Sequence, residues 1–317
     1  MIKKFIIRGV SKRFTGIQKL KAQKVPKMER SGAEAAEAQF TKIFGDKIIP
    51  QQSDKIDLKN GICKGVVLEN GDVINANTVI SSAGVQNTLT HFLRDDSSLD
   101  QYRSNLNQVK PSSGHACLYI GFDQTAKELG IKDTNLWVYP GYDHDKNVSD
   151  FQNNQDSDFP VLYMSFASSK DPAWDEHHPG TATMEVIVPS GFEHYQKWEK
   201  EPWKKRGNEY EVYKESISQR MIEGVYTNCP HLRDKIAFYE LSTPLSTKAM
   251  ANYTFGELYG IDHNPERFRN KWLKAKTPIK NLYLTGQDIL TVGLAGALAA
   301  GVLTCSTLLK KNMFNKI

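Results

Sequence analysis

Three stretches of the sequence predict a mixed α/β (α+β) chain built as two lobes. Asn281–Leu309 reads as a buried strand, a Gly-Gln-Asp turn and a long uncharged helix rich in Gly and Ala. Ile56–Gly84 reads as strands around an Asn70-Gly71 hairpin turn, followed by a further apolar strand. Between them, residues 96–276 alternate β-branched and aromatic runs with polar loops. That pattern predicts an antiparallel sheet backed by helices, inserted into the first lobe. At 317 residues the chain is long enough for two cores.

Taken in order, Met1–Arg30 holds ten Lys and Arg against one acid, which leaves 31 basic and 35 acidic residues in the rest. The body is therefore slightly acidic, and the net charge of +5 gives no support for nucleic-acid binding beyond the leader. Met1–Lys27 carries Ile2, Phe5, Ile6, Ile7 and Val10 but lacks the apolar core and cleavage site of a secretory signal. A transit-like or membrane-surface leader, a disordered tail, and a start inside a longer reading frame all stay open. Ser31-Gly-Ala-Glu34 is a capping box for a helix from Gly32 to Phe44, ended by Gly45-Asp46.

Lys47–Gln52 and Ile56–Leu58 are predicted strands, and Gly65–Leu68 with Val73–Ala76 forms the hairpin. Asn77–Ser82 is a further strand closed by Ala83-Gly84. In the middle region His115–Phe122, Val161–Ala167 and Thr181–Val188 are predicted strands. Phe192–Trp198 and Gly207–Tyr226 are predicted helices, the second with Tyr210, Tyr213, Ile217, Met221 and Val225 on one face.

Cys63, Cys117, Cys229 and Cys305 lie far apart with no CxxC spacing, which suits free thiols in a reducing compartment. Gly61-Ile-Cys63-Lys-Gly65 has the spacing of a nucleophile elbow, but it precedes a polar hairpin, so Cys63 reads as a half-buried strand residue. Asp175, Glu176, His177 and His178 offer no third ligand at metal spacing, since adjacent histidines point apart, and they read as a solvated loop. No metal is expected.

The C-terminal stretch is the most informative. Gly293, Gly296 and Gly301 sit on a helical pattern at about 1 kcal/mol each against Ala, so a close approach of ligand or backbone must require them. A helix starting near Thr291 aims unpaired N–H groups back at the Asp288 turn. The competing reading is a C-terminally membrane-anchored β-rich protein without redox activity, because Ile289–Leu309 has no charge and Lys310-Lys311 follows. The Gly, Ala, Ser and Thr content and the preceding strand and turn weigh against it.

This segment resembles the C-terminal flavin-binding signature of the phytoene desaturase and amine oxidase family, and within it the retinol saturase and carotenoid isomerase branch. GVVLENGDVINANTVISSAG, SFASSKDPAWDEHHPG, WKKRGNEYEVYKESISQRM and ELSTPLSTKAMANYTFGELYG extend the resemblance over roughly residues 31–310. It implies a partial FAD-binding Rossmann-like domain and an inserted antiparallel-sheet substrate domain. The divisions are a basic leader at 1–30, FAD-domain segments at 31–95 and 277–317, and the substrate domain at 96–276. Gly286, Gln287, Asp288 and Thr291 would lie along the FAD chain, with the amides of Gly293, Leu294 and Ala295 facing the flavin. Val79–Gly84 would pass near the adenosine half.

Thr243, Pro244, Tyr253, Gly256 and Tyr259 would line an apolar slot for a polyene or isoprenoid; a Gly-rich loop packed by Tyr is the plain alternative. The implied chemistry is saturation, desaturation or isomerisation of that polyene, with no side-chain acid–base pair assigned. One departure stands out: none of the 22 glycines has another glycine two positions on. The Gly-x-Gly-x-x-Gly βαβ unit that meets the FAD pyrophosphate is therefore lacking. The expectation is the C-terminal part of a split or truncated enzyme, or a chain whose partner is an N-terminal fragment supplying that half. A cytoplasmic chain with peripheral membrane contact fits this reading.

Overall fold

The computed structural model describes residues 4–7, as backbone, and 53–316. The predicted capping box, the helix at 32–44 and the strand at 47–52 lie outside the described residues. In chain order the strands and principal helices are β1 (Lys4–Ile7), β2 (Ser53–Lys59), β3 (Ile62–Leu68), β4 (Val73–Asn75), β5 (Thr78–Ser81), α1 (Asp100–Leu106), β6 (His115–Phe122), β7 (Leu136–Val138), α2 (His144–Asn153), β8 (Leu162–Ser165), β9 (Ala182–Pro189), α3 (Gly207–Asn228), β10 (Ile236–Ser242), α4 (Pro244–Ala251), α5 (Pro265–Arg269), β11 (Leu282–Leu284) and α6 (Gly293–Leu309). The result is mixed helix and sheet, with antiparallel sheets prominent.

The chain divides into two compact units. Unit 1 takes residues 1–110, 250–252 and 259–317, and unit 2 takes 111–249 and 253–258. The sequence reading put 96–276 in one substrate domain. Asp96–Lys110 and Tyr259–Lys276 instead belong to unit 1, because Leu99, Leu106, Ile261, Leu273 and Ala275 bury themselves in its core.

In unit 1, β5 is the middle strand of a parallel sheet ordered β1-β5-β11. All four β5 residues are buried, as a parallel strand covered on both faces requires. The expected hairpin is present: β3 pairs antiparallel with β4 and with β2. Around the turn the Leu68 N–H donates to Asp72 O and the Gly71 N–H to Leu68 O, both at 2.9 Å. Cys63 lies in β3 and is wholly buried. Burial pushes its thiol up to about 11, so it stays protonated and inert at neutral pH.

Unit 2 is built on an antiparallel sheet ordered β10-β6-β9-β8-β7. Residues on β9 alternate strictly between buried and half-buried. Ala182, Met184, Val186 and Val188 turn to the core with Ala116, Leu118, Ile120 and Phe122 of β6, and α3 contributes Tyr210, Ile217, Met221 and Val225 to the same cluster. Tyr213 packs beside them. The sequence expectation of one helix over Phe192–Trp198 becomes two single turns, Phe192–His194 and Gln196–Trp198. Tyr195 breaks it, because its ring is drawn fully into the core and its hydroxyl sits 2.9 Å from Ser190 Oγ.

Met221 is fully buried at the centre of α3, whereas Val212 on the opposite face is 60% exposed. Met221→Ala should therefore lower stability by about 2–5 kcal/mol, and Val212→Ala should stay within about 0.5 kcal/mol. Urea unfolding checks both; matching midpoints would show that this face of α3 does not carry the core.

Candidate functional site

The site grows from the end of β11 in unit 1. After Leu284 the chain passes through Gly286, at φ 101°, into a tight turn over Gln287–Ile289. Asp288 is 4% exposed and its carboxylate points inward. Oδ2 accepts the Val85 N–H at 2.7 Å and Oδ1 accepts the Ile261 N–H at 3.1 Å, joining three segments far apart in sequence. Gly260 leaves room for this: at φ 69°, a Cβ there would fall 2.1 Å from Asp288 Oδ1. Burial pushes the Asp288 carboxyl above the ordinary aspartate range, while the two amide donors and Arg267 act in the opposite sense.

Arg267 is 3% exposed and lies against the other side of the turn. Its guanidinium donates to the Gln287 and Leu290 carbonyls, each at 2.9 Å, and to the Asp288 carbonyl. Its own position follows from a short helix with a clear start. Asn264 caps α5 by accepting the Arg267 N–H at 2.9 Å, and Pro265 occupies the first turn. Burial and then the Arg267 charge hold the neighbouring His263 imidazole below its usual range.

Helix α6 starts at Gly293, with φ 83°, and has no side-chain cap and no acid in its first turn. Its first N–H groups therefore have no partner from the helix itself. Gly296, Ala300 and Thr304 form its buried stripe, and Thr304 Oγ1 bonds the Leu284 carbonyl at 3.0 Å, locking helix to strand. Gly296 is required by close packing, since a Cβ would fall 2.1 Å from the Thr291 carbonyl oxygen. At Gly286 and Gly293 the demand is the left-handed backbone, and a Cβ at either would meet no atom within 4 Å.

The structure thus gathers the expected cofactor residues on one turn. Gly286, Gln287 and Gly293 are half-buried, Thr291, Leu294 and Ala295 are exposed, and only Asp288 is wholly inside. Sequence reading missed Arg267, Gly260, Val85 and Ile261. Asn264-Pro265 was a readable helix start, but nothing local ties Arg267 to carbonyls twenty positions on.

The expected substrate residues divide. Thr243, Pro244, Tyr253 and Gly256 lie in unit 2 and Tyr259 in unit 1. Thr243-Pro244 opens helix α4, so the plain alternative of a Gly-rich loop does not hold at this end of the stretch; Pro244 suits the first helical position because its missing N–H is not needed there. Thr243 is fully buried with its hydroxyl 2.7 Å from the Tyr210 hydroxyl. Gly256, at φ 60°, packs against Pro244, where a Cβ would fall 2.1 Å from the Pro244 carbonyl oxygen. Tyr259 is 41% exposed. The residues 174–177 around His177 form one short helical turn with no buried side chain. Among the described residues no group of three metal-binding side chains occurs, and no helix is long and apolar enough to cross a membrane.

No family model matches the chain. Over 276 residues, 84% of its length, it is 34% identical to all-trans-retinol 13,14-reductase of Rattus norvegicus. It is 25% identical over 74% of its length to 4,4'-diapolycopene oxygenase of Methylomonas sp. Its fold aligns with wild-type putrescine oxidase bound to putrescine at a TM-score of 0.54 and 12% identity, covering 86% of this chain and 52% of that one. At that identity the likeness is one of fold alone: a mixed helix-and-sheet arrangement shared with putrescine oxidase. The resemblance to the phytoene desaturase and amine oxidase family, on its retinol saturase side, is shown by these relatives. The chain spans 45% of the rat relative and 44% of the bacterial one.

Gly260→Ala should cost about 1–3 kcal/mol or more by forcing methyl against carboxylate in a left-handed backbone. Gly301→Ala, which meets nothing within 4 Å, should be neutral or gain up to about 1 kcal/mol. Thermal melting separates them; equal effects would remove the Gly260–Asp288 contact from the account.

The raised Asp288 pKa makes the folded chain hold this proton more tightly than the unfolded chain does. The stability it contributes is fully present below about pH 3.9, the ordinary aspartate value, and is lost as pH rises through the higher folded value. Asp288→Asn cannot titrate, so it should lose less stability than the parent between about pH 4 and pH 8. Parallel urea midpoints across that range would show that the carboxyl is not raised.

Proposed function

We propose that this chain is the C-terminal part of an FAD-dependent oxidoreductase acting on an apolar polyene or isoprenoid of retinoid or carotenoid type. The observation that carries the reading is 34% identity to a retinol reductase along 84% of the chain, taken together with the turn that follows β11. In this reading unit 1 is the partial FAD-binding Rossmann-like domain and unit 2 is the inserted substrate domain.

The residues present suit a flavin. Gly286 and Gly293 set bare backbone against open space, α6 begins without a side-chain cap, and no acid in its first turn repels an electron-rich ring. Gly286, Gln287, Asp288, Thr291 and the amides of Gly293, Leu294 and Ala295 would hold it. When bound, a flavin supplies hydride transfer to or from the carbon chain. The protein's part is to orient and to set the field: the α6 amides favour negative charge at its N-terminus, and Asp288 keeps the turn closed beneath them. A carboxylate has about four lone-pair sites, so the two amides that Asp288 binds leave capacity for a ribityl hydroxyl. Within unit 2, Thr243, Pro244, Tyr253 and Gly256 are proposed to flank the polyene.

The dinucleotide-binding glycines absent from this sequence are proposed to come from an N-terminal segment; the chain spans 45% of the rat relative's length. The four free cysteines, three of them buried, suit a cytoplasmic location, with peripheral membrane contact for delivery of an apolar substrate.

Co-expression with the N-terminal half of a retinol reductase should yield a yellow complex with stoichiometric flavin absorbance. Asp288→Ala in that complex should weaken FAD by about 1.5–3 kcal/mol. A polyene offered to it under reducing conditions should shift to shorter wavelength as its conjugation shortens. A colourless complex, or one whose flavin ignores Asp288→Ala, would sink the assignment of this turn.

A further inference from the structure

Arg267 is the strongest feature that neither the sequence nor the kinship assigned. It is a cation nearly removed from water, and its charge is spent mainly on backbone. Three carbonyls of one turn, from Gln287, Asp288 and Leu290, converge on one guanidinium. Arginine suits this because its planar fork presents five donors at fixed angles, which a lysine ammonium cannot reproduce. The turn needs holding. It contains two left-handed glycines, Gly286 and Gly293, and it enters α6 with no side-chain cap.

The peptide plane couples that clamp to the exposed side of the turn. In a trans peptide the carbonyl and the following N–H point in opposite directions. With the Leu290 carbonyl drawn to Arg267, the Thr291 N–H is turned to the other side of the same plane, immediately before α6 begins. Asp288 is held from both ends, its carboxylate by Val85 and Ile261 and its carbonyl by Arg267. Arg267 is in turn held by Asn264, which takes its backbone N–H. A continuous chain of bonds therefore runs from the α5 cap to the α6 N-terminus.

We propose that Arg267 is the positioning residue of the cofactor turn: its guanidinium sets the peptide planes of Gln287–Leu290 and thereby aims the amides that lead into α6. The cofactor half of this proposal rests on the flavin reading above.

Arg267→Lys keeps the charge without the fork, Arg267→Gln removes the charge, and Asn264→Ala loosens Arg267 without changing it. Two measurements separate the roles. Hydrogen exchange on the full chain should quicken about tenfold or more in 286–296 in both Arg267 variants, and less in Asn264→Ala, while β5 stays protected. FAD titration of the co-expressed complex should show affinity about tenfold weaker in Arg267→Lys, with melting of the flavin-free chain little changed. Unchanged exchange in 286–296, or a rise shared equally by β5, overturns the clamp and makes Arg267 a general stabiliser. If the parent complex binds FAD and the variants bind it equally well, the positioning role fails while the flavin reading stands. If the parent complex binds no FAD, the flavin reading fails and the cofactor role of Arg267 fails with it, whatever the exchange shows.

Discussion

Unit 1 depends on one buried carboxylate. Asp288 draws the N–H of Val85 and the N–H of Ile261 to itself across 203 and 27 positions of sequence. Moving an ionised carboxylate out of water costs several kcal/mol unless its oxygens are satisfied. Here burial still raises the carboxyl above the ordinary aspartate range, although each oxygen meets a backbone donor and the Arg267 charge acts in the opposite sense. The penalty of leaving any of these bonds unmade is what specifies the register of the three segments. Gly84 and Gly260 follow from the same constraint, because their backbones approach the carboxylate more closely than most side chains would allow.

Everything proposed for the cofactor turn hangs from that point. The parallel pairing of β11 with β5 sets where the turn begins, and Thr304 on Leu284 sets where α6 returns. Between these two ties the backbone is held from inside by Asp288 and Arg267. Side chains that would ordinarily cap a helix are absent at α6, so the polarity of its first turn is left for something outside the helix. Unit 2 is organised by ordinary means: alternation on β6 and β9 gives one dry face, and α3 covers it with Met221, Val225 and their neighbours.

Kinship and geometry speak to different parts of the account. Identity to retinol reductases runs through both units, so it bears on the substrate class of the longer relatives. Geometry bears on the turn, and it gives Asp288 a structural occupation that kinship alone would not suggest. The two roles are compatible because a carboxylate can accept more bonds than the two it makes here.

Much of the secondary structure was legible because it rests on short-range pattern. β-Branched and aromatic content marked His115–Phe122, Asn70-Gly71 marked the hairpin turn, and spacing of about 3.6 residues marked the buried face of α3. The strand–turn–Gly/Ala helix at 281–309 was legible for the same reason, and it located the candidate site. Pattern failed where burial of one side chain overrode local preference, as at Tyr195, and where the domain boundary depended on which core Leu99 and Ile261 joined.

The sequence by itself determined that Gly286, Asp288 and Gly293 belong to one turn, since they are neighbours along the chain. Only the tertiary structure decided that Asp288 faces inward and that Arg267 grips the turn from behind. Those bonds join residues brought together by the packing of α5, β5 and β11, and no local spacing encodes a contact whose partners are set by the burial of a whole core.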